Sequence, residues 1–175
     1  MLPYIYEDLK EACQNLPVSL AAGCAVSVLV FFICRFTRRR IPLIPVFLWA
    51  AYLEQLLWLV LLNRPPGSRR SLDLGLFDTV SRSVRGNSYV VENVFLFLPF
   101  GLLFPLLFRF RKRRKHRFLV CLLSAFLCSA GIETVQYLTF RGYSQLDDVV
   151  TNMAGAALGY AMFCAVHRAA GGRRR

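Results

Sequence analysis

The chain has 175 residues, of which 56% are hydrophobic and 14% aromatic, and its formal net charge is +12. This excess of apolar side chains is hard to place in a soluble domain of that size, which argues against an ordinary soluble enzyme or binding module. The positive charge alone would suit nucleic acid, but no nucleic-acid-binding fold accompanies it, so we expect no nucleic-acid partner.

Five apolar stretches are each long enough to cross a bilayer, because a hydrocarbon core of about 30 Å needs roughly 20 helical residues. In chain order they cover residues 16–34, 41–62, 89–108, 118–140 and 149–166. Little of the chain lies outside them. The sequence therefore predicts an all-α fold, a polytopic membrane helical bundle of about five transmembrane helices that forms a single membrane domain over residues 1–175.

The charges around these stretches predict their orientation. Acidic residues precede the first stretch and Arg35 follows it, whereas a signal peptide carries its positive charge first. Alternate connections, at residues 35–40, at 109–117 and from Arg168 onward, hold four, seven and four Lys or Arg residues, or 15 of the 22 in the chain. Since connections rich in Lys and Arg stay in the cytoplasm, we expect the N-terminus outside and the C-terminus inside.

Proline and glycine mark the connections and the packing faces. The long connection at residues 63–88 opens with NRPPG, a strong helix stop, and its apolar residues from 76 to 84 then favour either a short interfacial helix or a plain ordered loop. In the third stretch, Pro99 removes one intrahelical hydrogen bond and predicts a bend. In the fifth, Gly155 and Gly159 form a small-residue face that predicts close helix packing within the chain.

The cysteines indicate neither a disulfide framework nor a zinc site. Five of the six lie in the apolar stretches, and their spacings match no paired motif. Carboxylates could hold a hard cation, but their spacing is not diagnostic of one. No catalytic sequence motif appears either. We therefore expect no metal and no cofactor.

Polar residues gather in the half of the bundle that the expected topology places outside. An ionisable group inside an apolar segment costs at least about 2.5 kcal/mol on insertion scales, so such groups usually face a bundle interior or a wet cavity. Counting about 1.5 Å of rise per residue assigns them to the outer turns of four stretches. They are Glu54, Gln55, Glu92, Asn93, Glu133, Gln136, Asp147, Asp148 and Asn152.

Helical spacing predicts that several of these residues share faces. Glu133 and Gln136 are three residues apart, and Asp148 and Asn152 are four apart, so each pair lies on one helix face. If those faces point inward, three or four carboxylates and three amides meet in one outward-opening pocket. Arg141, in the connection between the two helices, could pair with one of the acids.

Simpler structural roles stay open for most of these side chains. Glu92 and Asp148 stand at helix N-termini, where an acid favours the helix dipole and caps free N–H groups. Gln136 and Asn152 could bridge helices by hydrogen bonds. Glu133 has the weakest structural explanation, because it lies a turn inside its stretch with no basic neighbour in the sequence.

Three motifs on consecutive stretches resemble those of VanZ-like membrane proteins. Residues 92–101 (ENVFLFLPFG) are similar to N-x-x-x-F-x-P-F-G, residues 133–136 (ETVQ) to E-x-x-Q, and residues 148–159 (DVVTNMAGAALG) to D-x-x-x-N-x-x-G-x-x-x-G. The resemblance covers about residues 41–166. It departs from the family's pattern at Gln145, where an acid is frequent.

The resemblance implies a function at the outer face of the bacterial cytoplasmic membrane. The founding member of the family looks like a resistance factor against teicoplanin, a lipoglycopeptide that targets cell-wall precursors. Our leading hypothesis is an outward-facing acidic and amide pocket that binds a lipoglycopeptide, a cell-wall lipid precursor or another membrane lipid. Its ligand-binding residues would be Glu92, Asn93, Glu133, Gln136, Arg141, Asp148 and Asn152.

Three other functions stay open. An intramembrane hydrolase or transferase acting on a lipid or lipopeptide would use Glu133 as acid or base and Asp148 as base or cation ligand. A transporter or flippase would need a polar path to the inner face, but the inner halves of the stretches hold no acid. A structural or partner-binding protein would need none of the polar residues. The oligomeric state is open as well.

Overall fold

A computed structural model describes residues 2–38, 40–65, 67, 69–73, 75, 84–108 and 114–172 of the chain. Five α-helices account for most of these residues. They are α1 (Leu2–Thr37), α2 (Leu43–Leu57), α3 (Val84–Leu107), α4 (Arg114–Thr139) and α5 (Leu146–Gly172). Helix α2 continues into a π-helical turn at Trp58–Leu62. Two short strands, β1 (Arg69–Asp73) and β2 (Arg141–Gln145), follow α2 and α4.

Each of the five helices, with α2 taken together with its π-helical turn, contains a stretch that is long and apolar enough to cross a membrane. These stretches cover Leu9–Thr37, Leu43–Leu62, Asn87–Leu107, Lys115–Thr139 and Leu146–Ala170. The prediction of a five-span, all-α membrane bundle is therefore confirmed. Apart from the earlier start of the first, the stretches begin and end within a few residues of the predicted ones. The inside–outside orientation stays a prediction.

Helices α3 and α5 pack against each other through glycine. A Cβ atom at Gly155 would overlap the carbonyl oxygen of Val94, and one at Gly159 would overlap the carbonyl oxygen of Leu98. A Cβ at Gly101 of α3 would likewise collide with the backbone of α5. Between membrane helices lipid supplies no hydrophobic driving force, so close van der Waals contact between backbones holds the pair together. The predicted close packing at Gly155 and Gly159 is confirmed.

Aromatic rings fill the space between α2 and α3. Phe97, Phe100 and Phe104 of α3 are nearly fully buried. The Trp49 ring of α2 meets Phe100 edge-on, with ring centroids 5.0 Å apart. The Trp49 Nε1 donates a hydrogen bond to the Leu103 carbonyl oxygen at 3.0 Å. The indole therefore packs its apolar body in the core while its polar atom is satisfied away from water.

Helix α3 runs through Pro99 and Pro105 as one continuous helix. A proline removes one intrahelical donor, and in a membrane the carbonyls around it must find another partner. The Tyr52 hydroxyl of α2 donates to the Leu96 carbonyl oxygen, three residues before Pro99, at 3.0 Å. A neighbouring helix thus supplies a donor beside the proline. The bend predicted at Pro99 stays a prediction.

The two strands form a small parallel sheet that the sequence analysis did not predict. Its register pairs Arg69 with Arg141 and Asp73 with Gln145. The pairing draws the beginning of the long 63–88 connection against the turn between α4 and α5. The predicted interfacial helix falls mainly on residues 76–83, which lie outside the described residues.

Replacing Gly159 with alanine should destabilise the bundle, because the added methyl group overlaps the Leu98 carbonyl oxygen. A backbone oxygen cannot rotate out of the way as a flexible side chain can. We expect a loss of about 1–3 kcal/mol, seen as a lower thermal unfolding midpoint of the detergent-purified protein. Gly131→Ala on α4 is the matched control, because a Cβ there meets nothing within 4 Å and alanine is the better helix former. Equal destabilisation by the two changes would contradict the close packing of α3 and α5.

Candidate functional site

Four helix ends meet at one end of the bundle, which we call the site end. Helices α2 and α4 end there, and helices α3 and α5 begin there. Strand β2 connects α4 to α5 at the same end, and strand β1 pairs with it. The predicted ligand-binding residues lie in the third turn of α3, the last two turns of α4, the first two turns of α5 and in β2.

A hydrogen bond joins the third turn of α3 to the first turn of α5. The Asn93 side-chain amide donates to Asp148 Oδ1 at 2.7 Å. Glu92 is half-buried beside Asn93, and Asp147 is nearly fully buried beside Asp148. The hydrogen bond of Asp148 therefore crosses to another helix. This weighs against the simple capping role that its place at a helix N-terminus would also allow.

Glu133 is buried near the end of α4, with 7% of its surface exposed. Its Oε2 atom accepts the backbone N–H of Gln145 at 3.0 Å. Gln145 is the last residue of β2 and directly precedes α5. The bond therefore ties the end of the connection back to α4 and fixes the carboxylate next to the first turn of α5.

Two buried amide side chains each use one end and leave the other unpaired. Asn152 Nδ2 donates to Ser129 Oγ at 2.8 Å, and Gln136 Nε2 donates to the Val60 carbonyl oxygen at 2.8 Å. Gln136 is 3% exposed and Asn152 is 4% exposed. Their oxygens, Oε1 and Oδ1, are buried and accept no hydrogen bond from the described residues. A buried acceptor without a donor costs about 1–3 kcal/mol.

The π-helical turn of α2 offers carbonyl oxygens to the site end, because the last turn of a helix has no intrahelical donors for them. Gln136 uses the one at Val60. Arg141 Nη1 donates to the Leu61 carbonyl oxygen at 2.6 Å. The sequence suggests an acid as the partner of Arg141, but its hydrogen bond goes to this backbone oxygen instead. Both side chains thereby fasten the end of α2 to the α4–β2 segment.

Arg64 is a neighbour of the site that sequence reasoning missed. Its Nη1 atom lies 2.7 Å from the point that a Cβ at Gly142 would occupy, so the guanidinium packs onto the backbone of β2. Because Arg64 is exposed, it brings a positive charge to the edge of the site. The signal available in the sequence was its place in the helix stop that ends α2.

Ser129 was also missed, although it stands four residues before Glu133 and so on the same face of α4. Its hydroxyl is fully buried and accepts the hydrogen bond from Asn152. A lone serine in an apolar stretch is common, so only the spacing to Glu133 could have singled it out. Ser129, Glu133 and Gln136 form the polar face of α4 that looks toward the rest of the site.

Glu54 belongs to a separate polar cluster between α1 and α2. Its carboxylate accepts hydrogen bonds from Asn15 Nδ2 at 3.1 Å and from the Ser19 hydroxyl. Beside it, Gln55 Nε2 donates to the Ala12 carbonyl oxygen at 3.0 Å. Of the three or four carboxylates expected together, Glu54 is the one that lies apart. Its partners are on α1, so it fastens the first helix to the second.

We also searched the described residues for metal-ligand clusters and cavities. Among the described residues, no group of three or more His, Cys, Asp or Glu side chains could hold a metal ion. One cavity lies between α1 and α2 beside Phe47, and another lies between α4 and α5 beside Phe118 and Tyr160. The predicted ligand-binding residues line neither of these two cavities.

Replacing Ser19 with alanine should destabilise the protein by about 1.5–3 kcal/mol, because the half-buried Glu54 carboxylate loses a hydroxyl donor. Ser27→Ala is the matched control on the same helix. The Ser27 hydroxyl is buried without a described partner, so its removal should leave stability unchanged or raise it. Thermal unfolding of both variants in the same detergent measures the difference, and a Ser19→Ala variant as stable as Ser27→Ala would contradict it.

Comparison with known proteins agrees with the three motifs. A family model described as VanZ/LLP1 matches residues 19–167 of the chain. The chain is 31% identical over 123 residues to "Protein VanZ" of Enterococcus faecium, an alignment that covers 66% of this chain and 71% of that protein. No solved structure matches. With its five membrane-crossing helices and a match over most of its length, the chain belongs to the VanZ family of membrane proteins.

Proposed function

We propose that this protein binds an amphiphile at its site end, in the outer leaflet of the bacterial cytoplasmic membrane. The amphiphile is a lipoglycopeptide or a lipid-linked cell-wall precursor. Binding contributes to teicoplanin-type glycopeptide resistance or to the handling of envelope lipids. The observation that carries the proposal is the pair of buried, unpaired amide oxygens on Gln136 and Asn152.

These two oxygens define the chemistry of the ligand. An amide oxygen only accepts hydrogen bonds, so each is satisfied by a group that donates one. Peptide N–H groups, sugar hydroxyls and amines are such donors, and lipoglycopeptides and lipid-linked wall precursors carry all three. A donor bonded to a buried acceptor also removes a desolvation penalty that the free protein bears, which strengthens binding.

The charges at the site fit the same ligands. Glu133, Asp147 and Asp148 place carboxylates around the first turn of α5, and these favour an amine. Arg64 stands exposed at the edge, and a guanidinium there favours a phosphate or carboxylate. A ligand whose head group is rich in amines and hydroxyls would face these carboxylates, and an anionic group next to that head would face Arg64.

The charge distribution and the related protein both support a site that faces the outside of the cell. The excess of Lys and Arg in the connections at the opposite end favours a site end that faces outward. Wall precursors and the drugs that recognise them are exposed on that side. The likeness to the Enterococcus faecium protein supports a role of the resistance type.

Expressed in a teicoplanin-sensitive bacterium, the chain should raise the minimum inhibitory concentration of teicoplanin. Asn152→Leu should abolish that increase, because leucine keeps the approximate volume but removes the acceptor. Glu54→Gln, in the separate α1–α2 cluster, is the matched control and should retain protection. Immunoblots of membrane fractions establish that all variants accumulate equally. Protection that persists in Asn152→Leu would contradict the proposed site.

Native mass spectrometry of the purified protein separates binding from catalysis. With a wall-precursor lipid, we expect an adduct of unchanged ligand mass whose affinity falls about three- to tenfold in Asn152→Leu, since one hydrogen bond is lost. Conversion of the ligand that disappears in Glu133→Gln would instead establish the hydrolase or transferase alternative, with Glu133 as acid or base.

The orientation can be tested with a membrane-impermeant maleimide on intact cells. Pro65→Cys lies in the exposed segment after α2 at the site end, and Arg40→Cys lies exposed at the opposite end. We expect the first to be labelled on intact cells and the second only after permeabilisation, with the unsubstituted chain as the background control. The reverse pattern would place the site in the cytoplasm and end the proposal.

A further inference from the structure

A groove opens between α4 and α5 at the end of the bundle opposite the site end, which we call the basic end. Its volume is about 420 Å³, and its lining residues are Lys115, Phe118, Ala157, Tyr160 and Ala161. That volume falls within the range of about 300–1,000 Å³ that is usual for small-ligand sites. None of these residues belongs to the polar site described above.

The shape of the groove follows from unequal side chains on the two helices. The rings of Phe118 on α4 and Tyr160 on α5 pack with centroids 5.3 Å apart and form one wall. Ala157 and Ala161 on α5 are too small to fill the space beside them, so a hollow remains. Ala161 is exposed and Phe118 is half-buried, so the hollow opens on the outside of the bundle, where lipid lies.

Among the described residues, Lys115 is the only charged side chain that lines the groove. It stands at the start of the apolar stretch of α4. A lysine in that position extends its ammonium to the level of the lipid head groups. It is one of seven Lys and Arg residues between positions 109 and 117. Helix α4 carries no acid before Glu133, and α5 carries none after Asp148. An anion at this end therefore meets attraction without an opposing carboxylate from either helix.

We propose that this groove binds an anionic phospholipid. One acyl chain lies in the hollow beside Ala157 and Ala161, and Lys115 binds the phosphate of the head group. An apolar hollow continued by a cation at head-group depth matches both halves of such a lipid. A zwitterionic lipid offers the same chain, but its own ammonium offsets the attraction of its phosphate to Lys115.

The test titrates delipidated, detergent-purified protein with phosphatidylglycerol or phosphatidylcholine of identical acyl chains, read by native mass spectrometry. We expect tighter binding of phosphatidylglycerol. Lys115→Gln should lower that affinity about fivefold, the contribution of one lysine near a lipid surface. The same substitution should leave the affinity for phosphatidylcholine unchanged. Lys10→Gln is the matched control, since Lys10 is an exposed lysine on α1 at the other end.

A second pair of variants tests the hollow itself. Ala161→Leu fills the hollow and should lower the affinity for both lipids at least threefold. Ala154→Leu is the control, because it adds the same bulk at an exposed position of α5 outside the groove. If Lys115→Gln acts no more strongly than Lys10→Gln, or Ala161→Leu no more strongly than Ala154→Leu, the proposal is overturned. Dimers without lipid adducts would also overturn it, because a second copy would then cover the groove.

Discussion

The backbone contact between α3 and α5 is the interaction on which the arrangement of this protein depends. Gly101, Gly155 and Gly159 remove the side chains that would hold the two helices apart. Once the backbones touch, the third turn of α3 lies beside the first turn of α5. Asn93 can then reach Asp148 at 2.7 Å. The glycines thus set the spacing between the two helices at which Asn93 and Asp148 meet.

Removal of water from the bilayer core explains the rest of the polar architecture. A polar atom there must find a partner within the protein, since lipid provides none. Trp49 and Tyr52 meet this need with backbone oxygens of α3. In the π-helical turn of α2 the polar atoms are backbone carbonyl oxygens, and these accept hydrogen bonds from the side chains of Gln136 and Arg141. The buried oxygens of Gln136 and Asn152 depart from this pattern, since they accept no hydrogen bond from the described residues, and the ligand that we propose would supply their donors.

The two ends of the bundle differ in chemistry. The site end holds carboxylates, amides and a small parallel sheet, whereas the basic end holds an apolar groove with a lysine at its mouth. Helices α4 and α5 contribute to both. Ser129, Glu133 and Asn152 lie toward one end, while Phe118 and Tyr160 lie toward the other. A lipid in the groove would therefore touch α4 and α5, two of the helices that carry the proposed site.

The sequence by itself determined the five spans, the glycine face and the position of each polar residue along its span, because these depend on local hydrophobicity and on the constant rise of a helix. It also carried the family motifs. Only the tertiary structure decided which neighbour each polar side chain contacts. Glu54 turned toward α1, Arg141 toward a carbonyl of α2, and Arg64 came to rest on β2. Which neighbour a side chain meets depends on the rotation of whole helices and on contacts between residues far apart in sequence, and no local pattern encodes either.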